Sequence, residues 1–315
     1  MKNLIIATII LLILQLSAVA QDKTQKLFNE QKYGELLAHL KESKQSSNEI
    51  NYWSARIAIN QNKFDEATDL LEKCVETNPK EYKYHFWLGT SYARQATQGN
   101  VFQKGLLAPK IRSSFENALA LSPNSIDAMK VLVEFYQQAP SMMGGSPEKA
   151  KQLATRIKQI DKVLGATTLG NLYVAEKDLQ RAEAEFIEAA NVEPNNFKVA
   201  FQLGNFYIRN TQYSKAISVY EQFLKTNPKS MAATYQIGKI AAISGTNLNK
   251  GEICLQSYIR THKPIGEDPS IASAMMRLGM VYEKKNEIAE AKKYYESALK
   301  LDNSLKEAKE ALAKL

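Results

Sequence analysis

The chain has 315 residues, 44% hydrophobic and 23% charged, a balance that excludes a disordered polymer and would ordinarily fill about two domains. Its 41 Lys and Arg exceed 33 Asp and Glu, for a net charge of +8, but the two signs are intermixed. That distribution suits a solvated surface and does not point to a nucleic-acid partner.

The first twenty residues stand apart. Met1-Lys2-Asn3 gives a positive start, Leu4 to Leu14 is apolar apart from Thr8, and Ala18-Val19-Ala20 supplies small residues at a cleavage site. The pattern predicts a secretory signal peptide over 1–20, with Gln21 opening the mature chain; an uncleaved anchor is the alternative. Cleavage removes one lysine and no acid, leaving +7. No cysteine stands directly after the apolar run, and no later stretch is apolar enough to span a bilayer. A periplasmic or secreted protein without an integral membrane segment is therefore expected.

Residues 21–47 read as a helical cap or degenerate repeat, with Leu27, Phe28, Tyr33, Leu36, Leu37 and Leu40 at helical spacing. From about 48 the chain is periodic. Gly170, Gly204 and Gly238 fall 34 residues apart, and their surroundings coincide: Leu169-Gly170-x-x-Tyr173 with Leu203-Gly204-x-x-Tyr207, Ala182 with Ala216, Pro194 with Pro228. Looser copies run from 48 (Phe64, Ala67, Pro79), 82 (Leu88-Gly89-x-x-Tyr92, Pro123), 126 (Tyr136, Ala150), 231 (Ile237-Gly238, Ala241) and 272 (Leu278-Gly279-x-x-Tyr282, Ala291). Two copies carry insertions, near 95–110 and 139–147, and residues 305–315 predict a C-terminal capping helix begun by Ser304. The two cysteines, Cys74 and Cys254, lie in separate repeats and read as free, buried thiols.

A fixed period of this size marks a stacked array of one supersecondary unit. Over 48–304 the sequence resembles the tetratricopeptide repeat family. The resemblance implies an all-α solenoid of about seven antiparallel helix pairs with terminal caps, wound as a right-handed superhelix. It also implies a concave face lined by first helices, and protein or peptide binding rather than catalysis. The glycine at position 8 of each repeat costs about 1 kcal/mol of helix propensity, which predicts close approach of the second helix. The tryptophan usual at position 4 is absent.

Positions 2, 5, 9 and 12 form a helix face turned away from the core stripe, which makes it the inner face of the array. In the regular repeats it holds Thr167, Asn171, Lys198, Phe201, Asn205, Ile208, Tyr235 and Lys239, with Arg209 beside it. Asn171 and Asn205 occupy one position in successive repeats, suited to hydrogen-bonding an extended backbone, with Phe201 and Tyr235 as apolar contacts. A subgroup of the family clamps a C-terminal carboxylate with lysines at set positions. Neither register beginning at 163 or 197 supplies them, so that activity is not expected. The insertions carry Phe102, Leu106 and Leu107 in one and Met142 and Met143 in the other, all expected in loops on one edge. These side chains either pack against each other or form a partner surface.

No chemistry-bearing constellation competes with this reading. His39, His85 and His262 have no ligand-spaced neighbours, and neither a phosphate loop nor a G-x-S-x-G motif occurs. No cofactor is implied. The expected role is an exported, non-enzymatic scaffold or adaptor for an unidentified protein or peptide. The alternative is a structural assembly factor of the cell envelope, acting by self-association or at the outer membrane.

Overall fold

Proline decides where the second helix of a pair stops. A residue preceding proline is pushed out of the α region, and Asn78, Ser122, Glu193 and Asn227 all take extended-side ψ values of 81°, 83°, 70° and 61° before Pro79, Pro123, Pro194 and Pro228. The helices end one residue earlier, at Thr77, Leu121, Val192 and Thr226. Side-chain caps open the next ones: Ser46, Ser125, Asp161, Asn196, Ser230 and Ser270 each accept a backbone N–H from the first turn.

The protein is described by a computed structural model covering residues 23–315. The segment predicted to be a signal peptide, 1–20, lies outside the described residues. The described part of α1 is 23–29, followed by α2 (Tyr33–Glu42), α3 (Ser47–Asn60), α4 (Phe64–Thr77), α5 (Tyr82–Gln98), α6 (Val101–Leu121) and α7 (Ile126–Gln138). A 3-10 turn, η1 (Ser141–Met143), leads to α8 (Pro147–Ile160). Then come α9 (Lys162–Ala175), α10 (Leu179–Val192), α11 (Phe197–Arg209), α12 (Tyr213–Thr226), α13 (Met231–Ser244), α14 (Leu248–Thr261), α15 (Ile271–Lys284), α16 (Ile288–Leu301) and α17 (Lys306–Leu312). The described residues contain no strand, and no helix among them is long and apolar enough to cross a membrane. The architecture is an all-α solenoid of seven helix pairs, α3/α4 through α15/α16, with α1/α2 before them and α17 after. It divides into two compact units, up to Ala154 and from Thr155.

Within a pair, the position-8 glycine faces the large residue at position 24. A Cβ at Gly170 would lie 2.9 Å from the Phe186 ring, at Gly279 2.8 Å from Tyr295, and at Gly204 2.5 Å from the Tyr220 hydroxyl. Gly89 meets Phe115 in the same way across the first insertion, at 2.9 Å. The helix propensity lost at glycine is exchanged for an aromatic ring seated directly on the opposing backbone. Phe115, Phe186, Tyr220 and Tyr295 are all buried. The turn after the first helix also repeats: Asn62, Lys177, Thr211 and Asn286 stand at one position and all have positive φ, between 56° and 63°.

Four of the junctions between successive pairs carry a polar clamp that the sequence pattern did not reveal. The tyrosine at position 11 donates its hydroxyl to a glutamate on the preceding pair, and a lysine, from the next helix in three sets and from the end of the tyrosine's own helix in the fourth, lies over the ring and pairs with that glutamate. The sets are Tyr92–Glu72–Lys110, Tyr136–Glu116–Lys149, Tyr207–Glu183–Lys215 and Tyr282–Glu252–Lys285. Lysine-to-ring distances run from 5.1 to 5.7 Å. Burial, then the adjoining carboxylate, pushes each phenol above its ordinary pKa, to about 12 for Tyr282. Lys215 and the Tyr207 hydroxyl hold Glu183 below the usual carboxylate range.

Two expectations are corrected. The residues inserted near 95–110 are not a loop: α5 and α6 lengthen to 17 and 21 residues and leave only Gly99 and Asn100 between them. A reciprocal capping box between Asn100 and Gln103 starts α6, which continues through Pro109. Ser304 does not cap α17; its hydroxyl donates to Asp302, and Leu305 occupies the N-cap. Cys74 is buried and Cys254 half-buried, and both are free.

Candidate functional site

α9 and α11 are the first helices of the two most regular pairs, so the same position on each faces the same side. The outcome is a cleft of about 230 Å³ in the second unit, lined by Asn171 and Val174 of α9, by Phe186 of α10, and by Phe201, Gln202, Asn205, Phe206, Arg209 and Asn210 at α11. Four residues expected from the sequence, Asn171, Phe201, Asn205 and Arg209, meet here. Phe186 and Phe206, with centroids 5.3 Å apart, are buried beneath it. The Asn210 amide is already committed, donating to the Phe206 carbonyl at 2.8 Å. The side chains of Asn171, Gln202, Asn205 and Arg209 make no hydrogen bond or ion pair with other described residues, and Asn171 and Arg209 are exposed. The cleft thus offers two carboxamides and a guanidinium in line on one helix, a third carboxamide across from them, and an apolar floor.

The other expected face residues lie elsewhere. Thr167 is buried, its hydroxyl donating to the Val163 carbonyl at 2.9 Å. A threonine can satisfy its own hydroxyl within the helix, and here it has turned away from solvent. Lys198 is exposed on the first turn of α11, outside the cleft. Ile208 is half-buried against the core. Tyr235 is 6% exposed and stacks on Tyr258 at 5.1 Å, so it is a core residue and not an open apolar contact. Lys239 is half-buried with no carboxylate partner, and burial together with Arg277 holds its ammonium below the usual lysine range. Gln202, Val174 and Asn210 were missed. Val174 is the position-12 residue that the face rule selects, and Gln202 and Asn210 flank Phe206 at one-turn spacing, so a wider face would have captured them.

The insertion residues collect on the first unit. Phe102, Leu106 and Met142 are exposed, while Leu107 and Met143 are partly buried. A Cβ on Gly105 would lie 3.6 Å from Met143 Cε, and the Arg112 guanidinium packs on Gly144. The two insertions therefore touch. Beside them a second hollow, about 580 Å³, is lined by Asp65, Gln95, Gln98, Gly99, Gln103, Leu106, Leu107 and Lys110.

Antiparallel helix pairs repeated at a near-constant period, with a glycine under an aromatic ring in four of them, define a helical repeat protein. The chain belongs to the tetratricopeptide repeat family: residues 49–81, 198–230 and 272–305 match its repeat models. No curated protein matches the sequence. Among solved structures, a tetratricopeptide repeat protein from Parabacteroides merdae is 14% identical, with a TM-score of 0.48 over 85% of this chain and 98% of its own. YrrB, described as a TPR protein with an unusual peptide-binding site, is 19% identical, with a TM-score of 0.44 over 64% and 98%. MamA from Desulfovibrio magneticus is 22% identical, with a TM-score of 0.41 over 56% and 97%. The family rests on the three matched segments and the repeating pair geometry.

Proposed function

We propose that this protein is an exported, non-enzymatic scaffold that holds an extended peptide or protein segment in the α9–α11 cleft. The observation that carries this reading is the set of unengaged polar side chains, Asn171, Gln202, Asn205 and Arg209, over an apolar floor. Carboxamides pair with backbone N–H and C=O alike, so a row of them recognises an extended chain with little demand on its sequence. Phe201 and Val174 supply the apolar contact that gives such binding affinity. The cleft presents no nucleophile–base pair, which favours binding over catalysis.

Selection from a random peptide library tests the cleft. The parent chain is expected to enrich peptides whose affinity falls by about tenfold or more in Asn171→Ala/Phe201→Ala/Asn205→Ala. Retained affinity in a variant with an unaltered melting curve would refute the assignment. Export rests on the sequence of residues 1–20 and is tested separately. N-terminal sequencing of the protein from its own cell envelope should begin at Gln21, and intact Met1 in the cytoplasmic fraction would contradict it.

A further inference from the structure

The first insertion leaves the packing of its pair intact and changes how far the pair reaches. Gly89 and Phe115 still meet, but 26 residues separate them where 16 separate Gly204 and Tyr220. Ten additional residues shared between two antiparallel helices raise the tip by about 7 Å, at 1.5 Å per residue. The raised tip carries the first turns of α6, where Val101 is 78%, Phe102 73% and Leu106 61% exposed. Met142, 91% exposed, joins them because η1 packs on α6 through Met143 at Gly105 and through Arg112 at Gly144. This is a cluster from two segments, not a scatter of single exposed residues.

Along the two inserted stretches themselves no acid occurs. Although acids and bases mix over the whole chain, no Asp or Glu occurs between Glu81 and Glu116, while Lys83, Arg94, Lys104, Lys110 and Arg112 do. Lys83, Lys110 and Arg112 are paired to Glu49, Glu72 and Glu116. Arg94 and Lys104 are exposed and have no ion-pair partner among the described residues. Between Glu134 and Glu148 the second insertion carries no charge at all. The acid that does face the tip, Asp65, accepts a hydrogen bond from Gln95.

We propose that this tip is a lipid-docking surface, seating Val101, Phe102, Leu106 and Met142 in the headgroup–acyl boundary of an anionic bilayer, with Arg94 and Lys104 near the headgroups. Projecting apolar side chains need a matching hollow on a protein partner, whereas a fluid bilayer accepts them in any arrangement. Cations that no carboxylate pairs complement anionic headgroups. The Asn100–Gln103 capping box fixes the helix start beforehand, so little ordering is required on contact. The cluster is small, and docking is reversible.

The test uses the full chain with an indole introduced by Phe102→Trp, read as the increment over the parent's own tryptophans. Vesicles contain phosphatidylglycerol and phosphatidylethanolamine with brominated acyl chains. The introduced indole should shift to the blue and be quenched by these vesicles, but not by brominated phosphatidylcholine. The same substitution at Ile253, exposed on the second unit, should remain unquenched. Adding Arg94→Glu/Lys104→Glu should lower the affinity read by the indole by at least about tenfold. An unquenched indole at position 102 overturns the proposal even if the chain binds vesicles through another segment. Unchanged affinity in the charge-reversed variant also overturns it. So does an oligomer in light scattering that Phe102→Ser/Leu106→Ser/Met142→Ser converts to a monomer, because the tip would then be covered by a second copy.

Discussion

The pair α11/α12 and the pair α5/α6 are built on the same contact and differ in what lies beyond it. In the first, 13- and 14-residue helices are joined by three residues, and every large apolar side chain near the turn has a packing partner. In the second, helices of 17 and 21 residues extend past the Gly89–Phe115 contact, and the residues added there pack on little. The internal contact fixes the stability of a pair, so length added outside it is released from packing and available for recognition.

The sharpest way to break this distinction is to add a methyl group at a contact and then beyond one. Gly165→Ala places Cβ 2.1 Å from Lys158 Cα, where only backbone can give way, and is expected to cost about 3 kcal/mol in a urea melt. Gly204→Ala meets the Tyr220 hydroxyl at 2.5 Å and its ring at 2.6 Å and should cost about 1–3 kcal/mol. Gly105→Ala, inside lengthened α6 with its nearest atom at 3.6 Å, should instead stabilise by up to about 1 kcal/mol. Equal losses at Gly204 and Gly105 would erase the difference between the two regions.

The clamps between pairs predict smaller effects. Tyr207→Phe removes the 2.8 Å hydrogen bond to Glu183 and should cost about 1 kcal/mol. Acid should loosen these junctions. Glu183 is held low first by Lys215; burial opposes ionisation of Glu252, but Lys285 and the Tyr282 hydroxyl overcome it. Carboxylates held low in the folded state contribute fully above the unfolded value of 4.5, and that contribution is lost as pH falls through their lowered values. Melting temperatures should therefore be level just above that pH and decline below it, less steeply in Glu183→Gln. The smallest effect concerns the turn. Thr211 is β-branched at φ 56°, a position held by asparagine in Asn62 and Asn286, and Thr211→Asn should stabilise by about 0.5 kcal/mol.

The fold was legible because its determinants are local and periodic: glycine at 8, alanine at 20 and proline at 32 each act within one repeat. The lining of the candidate cleft was legible where a face rule sufficed, at Asn171, Phe201 and Asn205, with Arg209 beside them. It failed at Tyr235 and Thr167 because one angle selects a face without saying what covers it, and Tyr258 covers one while the helix's own carbonyl takes the other. The insertion at 95–110 was misread as a loop because Gly99, Gly105 and Pro109 look like breakers. Asn100 and Gln103 close a capping box there instead. The glutamate partners of the tyrosine clamps stand 20, 24 or 30 residues away, and a search for constant spacing passes over them.

Those clamps also bear on how such a chain grows. Each takes its carboxylate from one pair and its phenol and ammonium from the next, and α5/α6 carries both halves, Tyr92 and Lys110 toward α4 and Glu116 toward α7. A duplicate of that pair would meet its parent with complementary halves already in place, as two identical links of a chain do. Lengthening by that whole unit leaves every joint made, whereas a cut inside it leaves one open.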